Sequence, residues 1–302
     1  MEKIQRILVA TDFSSRADRA VQRALQLAAE HQAKLNLLHV LPVFSLETFK
    51  HLISETPLET EQRLYNHAKA VLQNKSEVLA GEGVAVEHHV AIGRAHVEIN
   101  RYAKSHYADL IVIGDQGETF VQELFLGTTA SKTLSTGNLP LLIVKQEPKG
   151  QYKHVLVPVD FSRSSLEALD VALKVVTGSS IHVLHAIEMP LGRKMKQAGL
   201  NAKSIDLYRD KMLSRAREAM EKLVADHVRG DTRVTCIIEY GRAPAVIAEK
   251  TKFLDIDLIV MGKRGETELD EVLFGSVTKH VLYETPCDVL VVNPVAGSPS
   301  SP

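Results

Sequence analysis

Apolar residues fall into short continuous blocks along this chain, and between them they recur at helical spacing. Ile7-Leu8-Val9-Ala10 is four apolar residues in a row, the pattern of a strand buried on both faces. Ala17, Ala20, Val21, Ala24, Leu25 and Ala28 follow at the three-and-four spacing of a helix with one buried face. Leu35 to Val40 predicts a second strand, closed by Pro42; residues 43–80 are polar with a helical pattern and a break near Pro57. Val84 to Val90 reads as a third strand, and Gly93 turns the chain into another helix. Leu110 to Ile113 is a fourth strand feeding a glycine loop and a fourth helix, and Leu141 to Val144 a fifth strand. Strands alternating with helices imply a parallel sheet covered on both faces.

The pattern then starts again. Val155-Leu156-Val157-Pro158-Val159-Asp160-Phe161-Ser162 repeats the opening, with Asp160 lying 148 positions after Asp12. Gly241-Arg242-Ala243 repeats Gly93-Arg94-Ala95 at the same offset, while His185 follows His39 by 146, so loop length drifts near the second strand. Glu147 to Gln151 is a short polar linker. The predicted fold is α/β: two tandem doubly wound domains, residues 1–146 and 151–294, each with a five-stranded parallel sheet. The Gly/Ser/Pro-rich tail, Ala296 to Pro302, has the composition of a disordered segment.

Length and composition agree with two ordinary cores: 302 residues, 45% of them apolar. A formal net charge of −1 gives no bulk attraction to nucleic acid or to an anionic membrane surface. No apolar run approaches the roughly 18 residues of a membrane-crossing helix, and MEKIQRILVATDF enters a strand too soon to be a secretion signal. Cys236 and Cys287 lie in one half only and read as small apolar residues of strands, not as a disulfide framework. A cytoplasmic protein is the expectation.

The candidate chemistry sits after strands one and four. Gly114 to Thr129 reads GDQGETFVQELFLGTT and Gly262 to Thr278 reads GKRGETELDEVLFGSVT. Both give Gly, two residues, Gly, nine residues, Gly and a hydroxyl residue, directly after a buried strand. Glycine lets backbone amides approach an anion, Thr128 or Ser276 adds a hydroxyl, and the following helix offers its positive end. In a doubly wound sheet strands one and four are neighbours where the strand order reverses, so Asp12 or Asp160 would face the glycine loop across one crevice. Blander readings exist for each part: a glycine at a strand end is ordinarily a turn, and Asp12 or Asp160 would serve as a helix cap with Ser14 or Ser162. Thirteen histidines raise the question of metal, but His88 and His89 point to opposite faces of a strand and no Cys/His or HExxH spacing is present. Tyr208 to Lys222 reads as a solvated helix face. A Gly-x-Ser-x-Gly elbow and a Walker A ending are both missing, so an efficient enzyme is not indicated; slow ATP hydrolysis is the most that Asp12 or Asp160, holding a metal at a triphosphate, would support.

Asp-Phe-Ser after strand one, together with Gly-2-Gly-9-Gly-Ser/Thr after strand four, resembles the universal stress protein family, and does so twice over nearly the whole chain. The resemblance implies a tandem protein of the ATP-binding branch. In that branch the strand-one acid and the end of strand two hold the adenosine end of the nucleotide, and the glycine loop takes the phosphates. Carried over by position, the second half offers Pro158, Asp160, Ala186, Met261, Gly262, Lys263, Arg264, Gly265, Gly275, Ser276, Val277 and Thr278. The first offers Ala10, Asp12, Val40, Gly114, Gly117, Gly127, Thr128 and Thr129. The implied ligand is ATP, AMP or another adenine nucleotide, a triphosphate with or without Mg²⁺. The resemblance also implies pairing of the fifth strands, a pseudo-two-fold relation between the halves, and a homo-oligomer such as a homodimer. Lys263-Arg264 stands where the first half has Asp115-Gln116, and Thr278 where it has Ala130, so tighter binding is expected in the second half. The functional expectation is a stress-response protein that acts as a nucleotide-responsive switch through its Glu266 to Phe274 loop. The rival expectation is a scaffold for protein partners with vestigial sites.

Overall fold

The computed structural model describes residues 3–43, 57–116, 126–189, 202–228, 230–263 and 274–293. The chain divides into two compact units, Met1–Gln151 and Tyr152–Pro302.

In the first unit the strands are β1 (Arg6–Ala10), β2 (Lys34–Leu41), β3 (Val86–Ile92), β4 (Leu110–Gly114) and β5 (Leu141–Val144). The helices are α1 (Ser15–His31), α2 (Pro57–Ala80), α3 (Ala95–Ser105) and α4 (Thr128–Thr136). All strands are parallel, in the order β3-β2-β1-β4-β5. The order therefore reverses between β1 and β4, which pair with Val9 opposite Val112. The unbroken apolar runs are buried on both faces: Ile7, Leu8, Val9, Leu110 and Val112 have no exposed surface.

The second unit repeats this with β6 (His154–Pro158), β7 (Ser180–Ile187), β8 (Val234–Tyr240), β9 (Leu258–Gly262) and β10 (Asp288–Val292), parallel in the order β10-β9-β6-β7-β8. Its helices are α5 (Arg163–Val175), α6 (Ala202–Leu223), α7 (Ala243–Phe253) and α8 (Ser276–Glu284), with one wide turn, Val224–Val228, after α6. Asp109 and Asp257 lock matching corners: each carboxylate accepts two backbone N–H groups at the start of the first strand, Gln5 and Arg6 or Lys153 and His154.

The third strand begins two residues later than the sequence indicates and ends two later. The reason is its partner: β2 runs on to Leu41, opposite Ile92, and Gly93 N–H then donates to Leu41 O at 2.9 Å. His88 and His89 do face opposite ways. His88 meets Ser76 of α2 at 3.0 Å, and His89 stacks on Tyr102 of α3 at 5.2 Å. Both cysteines are free thiols, Cys236 exposed on β8 and Cys287 buried just before β10.

Candidate functional site

The turn after the first strand is built the same way twice. Ser14 and Ser162 cap the N-termini of α1 and α5, accepting from Ala17 N–H and Ser165 N–H. The aspartates stand behind the caps rather than being caps themselves. Asp12 Oδ1 accepts from Ser14 N–H at 3.1 Å and Ser14 Oγ–H at 2.6 Å; Asp160 Oδ1 does the same for Ser162 at 3.1 and 2.5 Å. Between acid and serine, Phe13 (φ 67°) and Phe161 (φ 64°) hold left-handed backbone that side chains with a Cβ rarely adopt. Each ring lies against a histidine at the end of the second strand, Phe13 on His39 at 4.3 Å and Phe161 on His185 at 4.5 Å. The histidines donate from Nδ1 to the carbonyls of Thr11 (2.8 Å) and Val159 (2.9 Å), which precede the aspartates. Burial holds the His39 imidazole below its ordinary 6.5, against the opposing effects of the Thr11 carbonyl and the Asp12 charge.

The glycine that ends the fourth strand has a packing reason. A Cβ on Gly114 would lie 3.1 Å from Arg16 O, and one on Gly262 would lie 2.2 Å from Ser164 Oγ and 2.9 Å from the Ser164 backbone. These glycines let the first turn of α1 or α5 close onto the strand end, so ligand approach is not what requires them. Where the chain re-enters the described residues, Gly127 N–H donates to Asp115 O (2.7 Å) and Gly275 N–H to Lys263 O (3.0 Å). Gly127 and Gly275 then open α4 and α8 with no side-chain cap. The first intrahelical bonds run from Ser131 N–H to Gly127 O and from Lys279 N–H to Gly275 O, so the amides of the turn before them point out of the helix end.

These elements enclose one cavity per unit at the carboxyl ends of the strands. The first, about 290 Å³, is walled by Ala10, Asp12, Val40, Gly114, Gly127, Thr128 and Thr129, all expected from the sequence. The second, about 450 Å³, is walled by Pro158, Asp160, Ala186, Met261, Gly262, Gly275, Ser276, Val277 and Thr278, again all expected. Both volumes are in the range of small-molecule sites. Gly117, Arg264 and Gly265, and all of the Glu266 to Phe274 loop but its last residue, lie outside the described residues.

Three expected contributions look different in three dimensions. Lys263 is buried, at 5% exposure, and is not on the cavity wall. Asp115 is on its wall, but Arg16 pairs with it at 2.9 Å and neutralises it. Thr278 donates its hydroxyl proton to Gly262 O at 3.0 Å, tying α8 to β9, so that proton is spent inside the protein.

The sequence reading also missed a wall. Ala95 and Ile99 of α3, and Ala243 and Ile247 of α7, close each cavity on the side of the third strand. The repeated Gly-Arg-Ala triplets mark that helix start in the sequence. His185 and Glu188 at the end of β7 complete the second cavity. Among the described residues no three His, Cys, Asp or Glu side chains gather as metal ligands, and no helix is long and apolar enough to cross a membrane.

The universal stress protein family matches residues 3–145 and again residues 151–293. A universal stress protein of Mycolicibacterium smegmatis is 24% identical over 301 residues, covering 95% of this chain and 97% of that protein. The universal stress protein YxiE of Bacillus subtilis is 31% identical over 145 residues, 46% of this chain and 98% of its own length. In structure, a universal stress protein from Archaeoglobus fulgidus superposes with a TM-score of 0.68 at 22% identity, covering 95% of this chain and 98% of that one, a likeness of fold. The chain belongs to the universal stress protein family, with two such domains in tandem.

Proposed function

We propose that this member of the universal stress protein family is a cytoplasmic stress-response protein that binds an adenine nucleotide in its two crevices and acts as a nucleotide-responsive switch. One observation carries the reading. In each unit the acidic turn after the first strand and the uncapped N-terminus of the helix after the fourth strand line the same cavity. A helix N-terminus favours negative charge through its outward amides and its dipole, so the phosphates lie on α4 or α8. The adenosine end lies toward Asp12 and Val40, or Asp160 and Ala186, at the ends of strands one and two. Thr128 or Ser276 adds a hydroxyl beside the phosphates.

ATP is the first ligand to try, and AMP separates phosphate affinity from adenosine affinity; Mg²⁺ would enter with a triphosphate, held by its oxygens and an aspartate. Calorimetric titration with ATP tests the reading, in the native chain and in a Gly127→Asp/Gly275→Asp variant whose new carboxylates sit where the phosphates would. Binding in the native chain that is lost in the variant is the expected result. Absence of heat and of any nucleotide-induced shift at millimolar ATP would leave the chain as a scaffold for protein partners with vestigial sites.

A further inference from the structure

The two cavities share the acidic turn and the uncapped helix, but they differ at the far end, where the second strand stops. In the second unit Glu188, two residues beyond Ala186, lines the cavity. Its Oε1 accepts from Ala243 N–H at 2.9 Å, which anchors the carboxylate on the N-terminus of α7. The matching residue of the first unit, at the 146 offset that pairs His185 with His39, is Pro42, which has no hydrogen-bonding side chain. Neither N-cap residue, Arg94 of α3 nor Arg242 of α7, caps its helix with its own side chain, so the bond from Glu188 is what sets the α7 end apart. At the opposite, phosphate-facing end the charges differ again. Arg16 and Asp115 form an ion pair in the first unit, whereas the same positions of the second hold Ser164 and the buried Lys263.

The second cavity therefore carries a polar group at each end of a largely apolar wall, the N-terminus of α8 at the β9 side and the Glu188 carboxylate at the β7 side. We infer that Glu188 is a specificity-determining residue, selecting in the second cavity for a nucleotide whose base edge carries an N–H donor, such as the 6-amino group of adenine. Among the described residues the first cavity has no counterpart, and no discrimination on that edge is expected there. This rests on the nucleotide reading above. A carboxylate already oriented by a backbone amide loses little side-chain freedom on accepting a second donor. A base that offers an acceptor or a bare C–H there forgoes that charge-assisted hydrogen bond.

Site-resolved NMR titration of the full chain reads the two cavities separately, through the amides of Ser276 and Ala243 for the second and of Thr128 and Ala95 for the first. Three probes are compared: ATP, purine riboside 5′-triphosphate (the same molecule without the 6-amino group) and inorganic tripolyphosphate. The expected result is about tenfold tighter ATP than purine riboside triphosphate binding at the second cavity, and a ratio near one at the first. Glu188→Met should bring the second ratio to about one by weakening ATP while leaving or strengthening tripolyphosphate, since a like charge is removed. A merely structural loss would weaken all three together. Glu188→Gln keeps an acceptor for Ala243 N–H and should fold even if the Met variant does not, with an intermediate ratio. Equal binding of ATP and purine riboside triphosphate at the native second cavity, or a ratio that survives both substitutions, overturns the inference while the nucleotide reading stands. If no probe shifts Ser276, both fall.

Discussion

Phe13 and Phe161 show how single residues decide the shape of the site. A left-handed bulky residue costs on the order of 1–3 kcal/mol, and it persists only where its surroundings over-determine it. Here the surroundings are His39 and His185, which lie against the rings, His39 stacked and His185 tilted, and bond the carbonyl before each acid. In the sequence these histidines register only as a match at an offset of 146, because stacking across strands leaves no spacing rule. The pH dependence of stability follows from His39. Its folded pKa lies below 6.5, so under about pH 6.5 the unfolded chain takes up a proton that the folded imidazole declines. The stability from the neutral ring is complete above 6.5 and is lost as pH falls toward the lowered folded value. The Tm should drop between pH 7 and pH 5.5, and calorimetry of His39→Gln should show a shallower drop; an unchanged slope removes His39 from the account. His89, His96 and His182 are lowered too, so part of the slope should remain. The strand-end glycines give a second residue-scale prediction. Gly262→Ala sets a Cβ against Ser164 backbone at 2.9 Å, while Gly114→Ala meets Arg16 backbone at 3.1 Å. Overpacking of this kind costs about 1–3 kcal/mol. Denaturant unfolding should show both variants destabilised, Gly262→Ala the more, and nucleotide affinity is no fair readout for either.

At the scale of elements, the site depends on helices that begin without side-chain caps. An aspartate at an N-cap accepts from the second or third amide of its helix and is worth a few tenths of a kcal/mol over glycine. Gly275→Asp should therefore raise the Tm slightly while weakening ATP at the second cavity by at least tenfold, because the carboxylate occupies the amides a phosphate would use. Opposite signs in stability and affinity are the signature. A fall in both would mean that Gly275 is needed only for the loop return to Lys263 O. Most of the elements were legible in the sequence: strands such as Leu141 to Val144 are unbroken apolar runs between turn signals, and α1 carries its apolar stripe openly. The boundaries of β3 were not, since they are set by where β2 stops. The walls contributed by α3 and α7 were hidden because Ala95 and Ala243 carry no chemistry to mark them; only their place at a helix start after the third strand makes them part of a site.

At the scale of the whole chain, duplication provides an internal control that a single domain lacks. The repeat and its offset of 148 were readable from the sequence, and so were sixteen of the site positions that the two cavities bring together. Their electrostatics were not. The sequence contrasts Lys263 with Asp115, but Asp115 is cancelled by Arg16, ninety-nine residues earlier, and Lys263 acts from inside the protein. The inequality of the halves still has a physical basis. The second cavity is the larger, about 450 against 290 Å³, with the smaller Ala186 standing where the first has Val40, and the buried Lys263 contributes its field at the phosphate end. A phosphate near the buried Lys263, partly shielded from water, gains more than one beside Arg16 and Asp115, whose charges cancel. Calorimetry with ATP should therefore resolve two sites of unequal affinity, the tighter abolished by Gly275→Asp and the weaker by Gly127→Asp. Raising the salt from about 0.05 to 0.5 M should narrow the gap, because screening acts on the charge term and not on cavity size. Two identical sites, or a tighter site that vanishes with Gly127→Asp, would mean that the lysine's desolvation outweighs its attraction and that the first unit is the principal binder.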